Sequence, residues 1–187
     1  MEEYYVTLDG VKVYVWEGNS HSHRPDLNEE VIGKVVINDR PFIQEVIDMG
    51  REIGLDHLVE RHPDDDLFFF DRGRGYESLM VLNRPPEPTQ KVTVVICLGS
   101  EEDGEYNGKY ILVTLFEGEP GMPEPFGEYL GDEACEAFWE THALVPTDEE
   151  LKKIYETYRD DEECKAYFEA NALFPIGDEA GDNTTEA

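Results

Sequence analysis

The sequence predicts an α+β fold: a four-stranded antiparallel sheet packed against helices, with an N-terminal β-hairpin and a helical C-terminal part. Three observations carry this. Four short β-rich runs at 66–71, 76–83, 91–98 and 110–117 are separated by turn-forming residues. An amphipathic segment at 41–54 precedes them. From residue 132 onward, cap residues open segments of helical period and prolines close them.

The hairpin is the first element. Residues 4–8 and 11–16 alternate apolar and polar side chains around Asp9-Gly10, a dipeptide suited to a two-residue type I′ turn with positive φ at both centres. Residues 17–30 form a polar loop in which His21 and His23 alternate as two imidazoles without an evident third metal ligand. Val31 to Ile37 suits a short strand. Asn38 or Asp39 then suits a helix N-cap, with Pro41 in the first turn and Gly54 at the close. Phe42, Val46, Ile47 and Ile53 fall near a 3.6-residue period, so this helix presents one apolar face.

The strands follow. Arg72-Gly73-Arg74-Gly75 is the turn between the first two. Arg84-Pro85-Pro86-Glu87-Pro88 reads as irregular, because proline lacks an amide donor and restricts its predecessor. Val92 to Leu98 is almost uniformly apolar, as a strand in the middle of a sheet would be. Residues 99–108 make a tight acidic loop into the last strand, Tyr110 to Phe116.

Beyond the Gly/Pro-rich loop after Phe116, residues 132–146 (DEACEAFWETHALVP) align without gaps on residues 161–175 (DEECKAYFEANALFP). Both copies read as a capped helix that carries an aromatic pair and stops before proline. Between them Asp148 to Tyr158 is a further amphipathic helix, capped by Thr147 or Asp148. His142 has Asn171 as its counterpart, and both residue types tolerate the left-handed conformation that closes a helix. His142 is therefore expected to be a left-handed terminator, with Trp139 and Phe138 matched by Phe168 and Tyr167.

The chain of 187 residues is read as one acidic globular domain over 1–176, comprising the hairpin (1–16), the helix and sheet (31–117) and the C-terminal helices (132–175). Residues 177–187 are expected to be a flexible acidic tail. Fifteen basic residues stand against 44 acidic ones, a formal charge of −29 that repels phosphate backbones and anionic membranes. The acidic start MEEYYV and the lack of a membrane-length apolar run point to the cytoplasm and away from a membrane. Cys97, Cys135 and Cys164 are too widely spaced for a zinc knuckle or a disulfide framework. No phosphate-cradling glycine loop or G-x-S-x-G elbow occurs, so no cofactor or metal is expected.

The candidate site residues are His57, His62, Arg74, Arg84, Thr114 and His142. His57 and His62 flank the loop into the sheet, where imidazoles can move protons near neutral pH, although surface histidines read the same way. Arg72, Arg74 and Arg84 stand out in a base-poor chain, either paired with carboxylates or gathered to receive an anion. Thr114 and Tyr110 lie on the last strand, where both are ordinary β-formers. Glu117, Glu119 and Glu124 offer carboxylates around the Gly/Pro loop.

Thr114-Leu115-Phe116-Glu117-Gly118, Pro123-Glu124-Pro125 and Phe138-Trp139-Glu140-Thr141-His142-Ala143-Leu144 form a spaced signature. It resembles that of a poorly characterised bacterial family with a T-x-F-x-G strand end, a P-E-P loop and F-W-x-x-H-A-L. The likeness spans Val81 to Val145 and departs from the family at Leu115, where a small residue is usual, and at Phe126, where tryptophan is usual. A helix followed by a four-stranded antiparallel sheet is also similar in topology to barnase, colicin and RelE-type ribonucleases, a likeness of fold alone.

Two function classes follow. The first is a metal-independent nuclease-like domain of a mobile-element or defence system acting on single-stranded RNA. Its acid, base and cations would come from His57 or His62, Arg74 or Arg84, Thr114 and His142. The second is a non-enzymatic acidic protein that engages a basic partner protein or imitates nucleic acid. The charge of −29 opposes the first, because phosphate contacts normally dominate nucleic-acid affinity.

Overall fold

The computed structural model describes residues 3–16, 20–73 and 75–171, with Asn171 described by its backbone alone. Arg74 and residues 172–187 lie outside the described residues, and with them the expected tail and the second copy's Leu173 and Pro175. The fold is α+β, and the chain divides into two compact units. The first comprises Met1–Leu58 and Glu87–Gly121, the second Val59–Pro86 and Met122–Ala187.

The first unit is built on a six-stranded mixed sheet. Its hairpin pairs β1 (Glu3–Val6) with β2 (Lys12–Val15). The other members are β3 (His21–Ser22), β4 (Phe42–Asp48), β10 (Lys91–Leu98) and β11 (Tyr110–Glu117). As expected from its apolar run, β10 is central, antiparallel to both β4 and β11, with Val92 to Ile96 buried. On its far side β11 runs parallel to β2 and β3. A short helix, α1 (Asn28–Ile32), adds Val31 and Ile32 to the core formed by Val94, Ile96, Leu112 and Leu115. Each such side chain, fully buried, contributes about 1.5–3 kcal/mol. A two-stranded ribbon pairs β5 (Gly54–Asp56) with β9 (Glu87–Thr89).

Several expectations are corrected in this unit. Residues 42–48 are strand β4, not the expected helix over 41–54. Burial alternates along it, with Phe42 and Val46 turned outward and Ile43 inward, and β-branched Ile43, Val46 and Ile47 suit that pleat. Val31 begins inside α1 rather than a strand. Arg84-Pro85-Pro86 is irregular as expected, but Glu87 and Pro88 enter the short strand β9, with Pro88 on a two-stranded ribbon that needs few of its donors. Asp9-Gly10 is not a type I′ turn. Only Gly10 has positive φ (82°), and Thr7 pairs with Val11 around a three-residue loop. The two consecutive positive φ values fall instead at Asn38 (48°) and Asp39 (57°), where the Arg40 amide donates to the Ile37 carbonyl. Asp9 Oδ2 accepts from the Asn38 amide at 2.9 Å, which holds its carboxyl down at about 2 together with the Thr7 hydroxyl, the larger cause.

The second unit holds a four-stranded sheet in the order β6 (Leu58–Glu60), β12 (His142–Leu144), β8 (Glu77–Val81) and β7 (Leu67–Asp71). The hairpin β7–β8 is antiparallel, with Asp71 facing Glu77 across the turn that begins at Arg72. β12 runs parallel to β8, with Leu144 opposite Met80. The single antiparallel sheet expected from the four runs is therefore replaced by two pairs in separate sheets, β7–β8 and β10–β11. Helices α2 (Glu133–Thr141), α3 (Asp148–Tyr158) and α4 (Glu162–Asn171) complete the unit. Thr147 and Glu150 form the reciprocal cap of α3.

The sequence repeat holds at the helix starts. Asp132 accepts from the amides of Ala134 and Cys135, and Asp161 from those of Glu163 and Cys164. The ring pairs match as well: Phe138 meets Trp139 at 83°, and Tyr167 meets Phe168 at 85°. Burial separates them. Phe168 is 2% exposed inside a cluster with Phe70, Met80, Leu82 and Ile154, whereas Trp139 is half-buried.

Candidate functional site

Within the second unit, strand β7 and helices α3 and α4 enclose a half-open cavity of about 400 Å³. Its floor is apolar, formed by the buried Leu82, Ile154 and Phe168 with Phe68 above them. Tyr158 and Tyr167 stand beside these rings, and Tyr158 meets Phe68 edge-on at 5.4 Å and 88°. Asp65, Asp66 and Glu163 bring carboxylates to the mouth, where Asp66 and Glu163 are exposed. The acid run Asp64-Asp65-Asp66 stands directly before the apolar run of β7, so the chain passes from charged rim to apolar wall within a few residues.

Several polar groups at the rim are held. Tyr167 donates its hydroxyl to Asp66 Oδ2 at 2.8 Å. Burial, followed by that bond, pushes the phenol well above the usual tyrosine range, so it stays a neutral donor. Arg84 reaches Asp65 from Nε at 2.9 Å and also donates to the Glu60 carbonyl. Burial of the Asp65 carboxyl works to raise its pKa, but the His62 amide at 2.7 Å and the Arg84 guanidinium outweigh it and hold the group below the aspartate range. Cys164, half-buried at the same mouth, has its thiol pushed up chiefly by burial and remains uncharged.

The expected site residues are spread over both units, and Arg74 lies outside the described residues. His62 and Arg84 meet through Asp65, the first by its backbone and the second by its side chain. His57 and Thr114 belong to the first unit. There the Thr114 hydroxyl donates to the His21 carbonyl at 2.8 Å, within the β11–β3 pairing. His142 ends α2, as expected, but with extended backbone (φ −125°, ψ 158°) rather than left-handed, because the chain passes straight into β12. Its ring stacks on Phe138 at 4.0 Å, and its Nδ1 lies 3.0 Å from the Phe138 carbonyl and 2.9 Å from the Thr141 hydroxyl. Trp139 donates its indole N–H to the carbonyls of Met122 and Pro123, and Tyr76 donates to Glu124 at 2.6 Å while stacking on Phe126. The P-E-P loop and the F-W-x-x-H helix are thus tied together as structure.

Arg72, also expected to gather an anion, and Arg24 are engaged as well, while Arg74 lies outside the described residues. Arg72 bonds Glu150 at 2.6 Å, and Arg24 bonds both Asp26 and Glu117. Among the described residues no cluster of three or more His, Cys, Asp or Glu is arranged to hold a metal ion, so His21 and His23 gain no third ligand there. No helix among them is long and apolar enough to cross a membrane.

One carboxyl in the first unit is set apart. Asp56 accepts from the amides of Leu58 at 2.9 Å and Glu119 at 3.3 Å, and sits where a side chain on Gly118 would otherwise be. Burial raises its pKa above the ordinary 3.8, those amides oppose the rise, and the Glu119 charge adds to it. A raised folded-state value means the native chain keeps a proton that the unfolded chain has lost. The stability from Asp56 is therefore full below the unfolded value and is lost as pH rises through the folded one. Urea titrations of the wild type and Asp56→Asn should show the wild type losing ground against the variant as pH is raised from about 4. A difference that stays constant from acid to neutral pH would contradict this.

No protein-family model, curated protein or solved structure matches this chain.

Proposed function

We propose that this chain is a non-enzymatic acidic protein that engages a basic partner through its second unit. The observation that carries the reading is the fate of six of the seven described arginines, all but the exposed Arg159. Arg24, Arg40, Arg51, Arg72 and Arg84 each bond a carboxylate, and Arg61 donates to the Glu140 carbonyl at the end of α2. A ribonuclease needs cations free to meet phosphate. Cations already committed to carboxylates serve that purpose poorly, while the many remaining carboxylates leave a surface that attracts bases. From 122 to 171 the sequence offers only Lys152, Lys153, Arg159 and Lys165 as bases. The topological likeness to small ribonucleases also loses its support, since the helix that should precede the sheet is strand β4.

The test is calorimetry of the full chain with an octalysine peptide and with single-stranded RNA. Octalysine should bind at physiological salt and weaken by about tenfold or more when salt is raised to several times that concentration. RNA should be neither bound nor cleaved. Lack of octalysine binding at physiological salt defeats the proposal, and metal-independent cleavage of RNA would put the nuclease reading in its place.

A further inference from the structure

Resting on that reading, we infer that the cavity of the second unit receives a lysine side chain of the basic partner. The argument starts from the walls. Phe68 and Tyr158 cross at 88°, and Tyr167 and Phe168 at 85°, so the cavity is lined by two edge-to-face ring pairs rather than by stacked rings. Rings met edge-to-face suit a compact, rounded ammonium group, whereas a planar guanidinium is better served by parallel surfaces on which to stack. Leu82, Ile154 and Phe168 supply an apolar floor on which a four-carbon stem can lie.

The charge at the mouth points the same way. Arg84 pairs with Asp65, and among the described residues no basic side chain pairs with the other two lining carboxylates, Asp66 and Glu163. Asp66 spends one acceptor position on the Tyr167 hydroxyl, and a carboxylate retains further lone pairs for an ammonium donor. The same bond orients the Tyr167 ring and keeps its hydroxyl neutral, so a cation meets an aromatic face in front of two negative groups. A phosphate or carboxylate ligand would meet those groups with the wrong sign. A purely apolar ligand would leave them without a counter-charge.

Octalysine affinity measured by fluorescence anisotropy, at physiological salt and on the full chain, tests the assignment. The double variant Asp66→Asn with Glu163→Gln should bind about tenfold more weakly, as should Tyr158→Ala, because each removes part of a charge-assisted or cation–π contact. Asparagine at 66 keeps an acceptor for Tyr167, so the double variant should unfold at the wild-type urea concentration. A control double variant, Glu101→Gln with Glu105→Gln, removes two exposed carboxylates from the first unit and should change affinity by less than about twofold. Nε-acetylated octalysine should not bind. If octalysine binds the cavity variants and the wild type equally, the cavity assignment is wrong while the general acidic-binding reading stands. If it binds none of them, both fall. Cavity binding of pentylammonium that octalysine fails to displace would assign the site to free small amines and overturn the peptide partner. Equal affinity for octaarginine would overturn the choice of lysine.

Discussion

Phe168→Ala is expected to cost about 3–5 kcal/mol of stability. The ring is 2% exposed and packs with Phe70, Met80, Leu82 and Ile154, meeting Tyr155 edge-on at 5.8 Å. Truncation removes apolar contact and enlarges a space already open on one side, where the surrounding helices have little to collapse onto. The counterpart in the first helix copy, Trp139→Ala, should cost less, about 2 kcal/mol, because the indole is half-buried and its main hold is a hydrogen bond to the Met122–Pro123 turn. Urea denaturation of the two variants side by side reads the difference. A Trp139 variant less stable than the Phe168 variant would show that burial is misassigned between the copies.

Gly118→Ala should cost about 3 kcal/mol, the sum of a left-handed backbone and a displaced carboxylate. Gly118 has φ +86°, and a Cβ there would land on the Asp56 carboxylate, itself fixed by two amides. Its carbonyl also accepts from the buried Thr93 hydroxyl at 2.7 Å, so the backbone has little room to yield. Gly10→Ala is the matched control, with φ +82° but nothing near the added methyl, and it should cost about 1–2 kcal/mol. Equal losses in the two variants would mean that the Asp56 contact contributes nothing.

Much of the fold was legible in the sequence where signals were local. The runs at 66–71, 76–83, 91–98 and 110–117 each hold a strand, and Thr147, one of the two expected caps, opens α3, with Glu150 completing the cap. Pairing was harder to read, because which strands share a sheet depends on contacts far apart in the chain. Residues 42–48 were misread because Phe42, Val46 and Ile47 satisfy a helical period. The β-branched Ile43, Val46 and Ile47 were the competing signal, and pairing with β10 decided the outcome. The left-handed turn sits at Asn38-Asp39 rather than Asp9-Gly10, since either dipeptide tolerates positive φ and the loop length settles which one adopts it twice. The cavity was not foreseen. Its walls come from β7, α3 and α4, and no short motif joins Asp66, Tyr158 and Tyr167. The only local hint was an acid run placed directly against Leu67-Phe68-Phe69-Phe70.

The way the two units share the chain has a consequence for synthesis. Every strand of the first unit's two sheets has been made once Gly121 has left the ribosome. The β7–β8 hairpin, made earlier, must wait for α3 and α4 before Phe68, Phe70 and Met80 gain their apolar partners. At about 5–20 residues per second that delay lasts roughly 5–20 s. During it a nascent Leu-Phe-Phe-Phe strand is unprotected, and the adjoining Asp64, Asp65, Asp66 and Asp71 act as charged gatekeepers against its association with other chains.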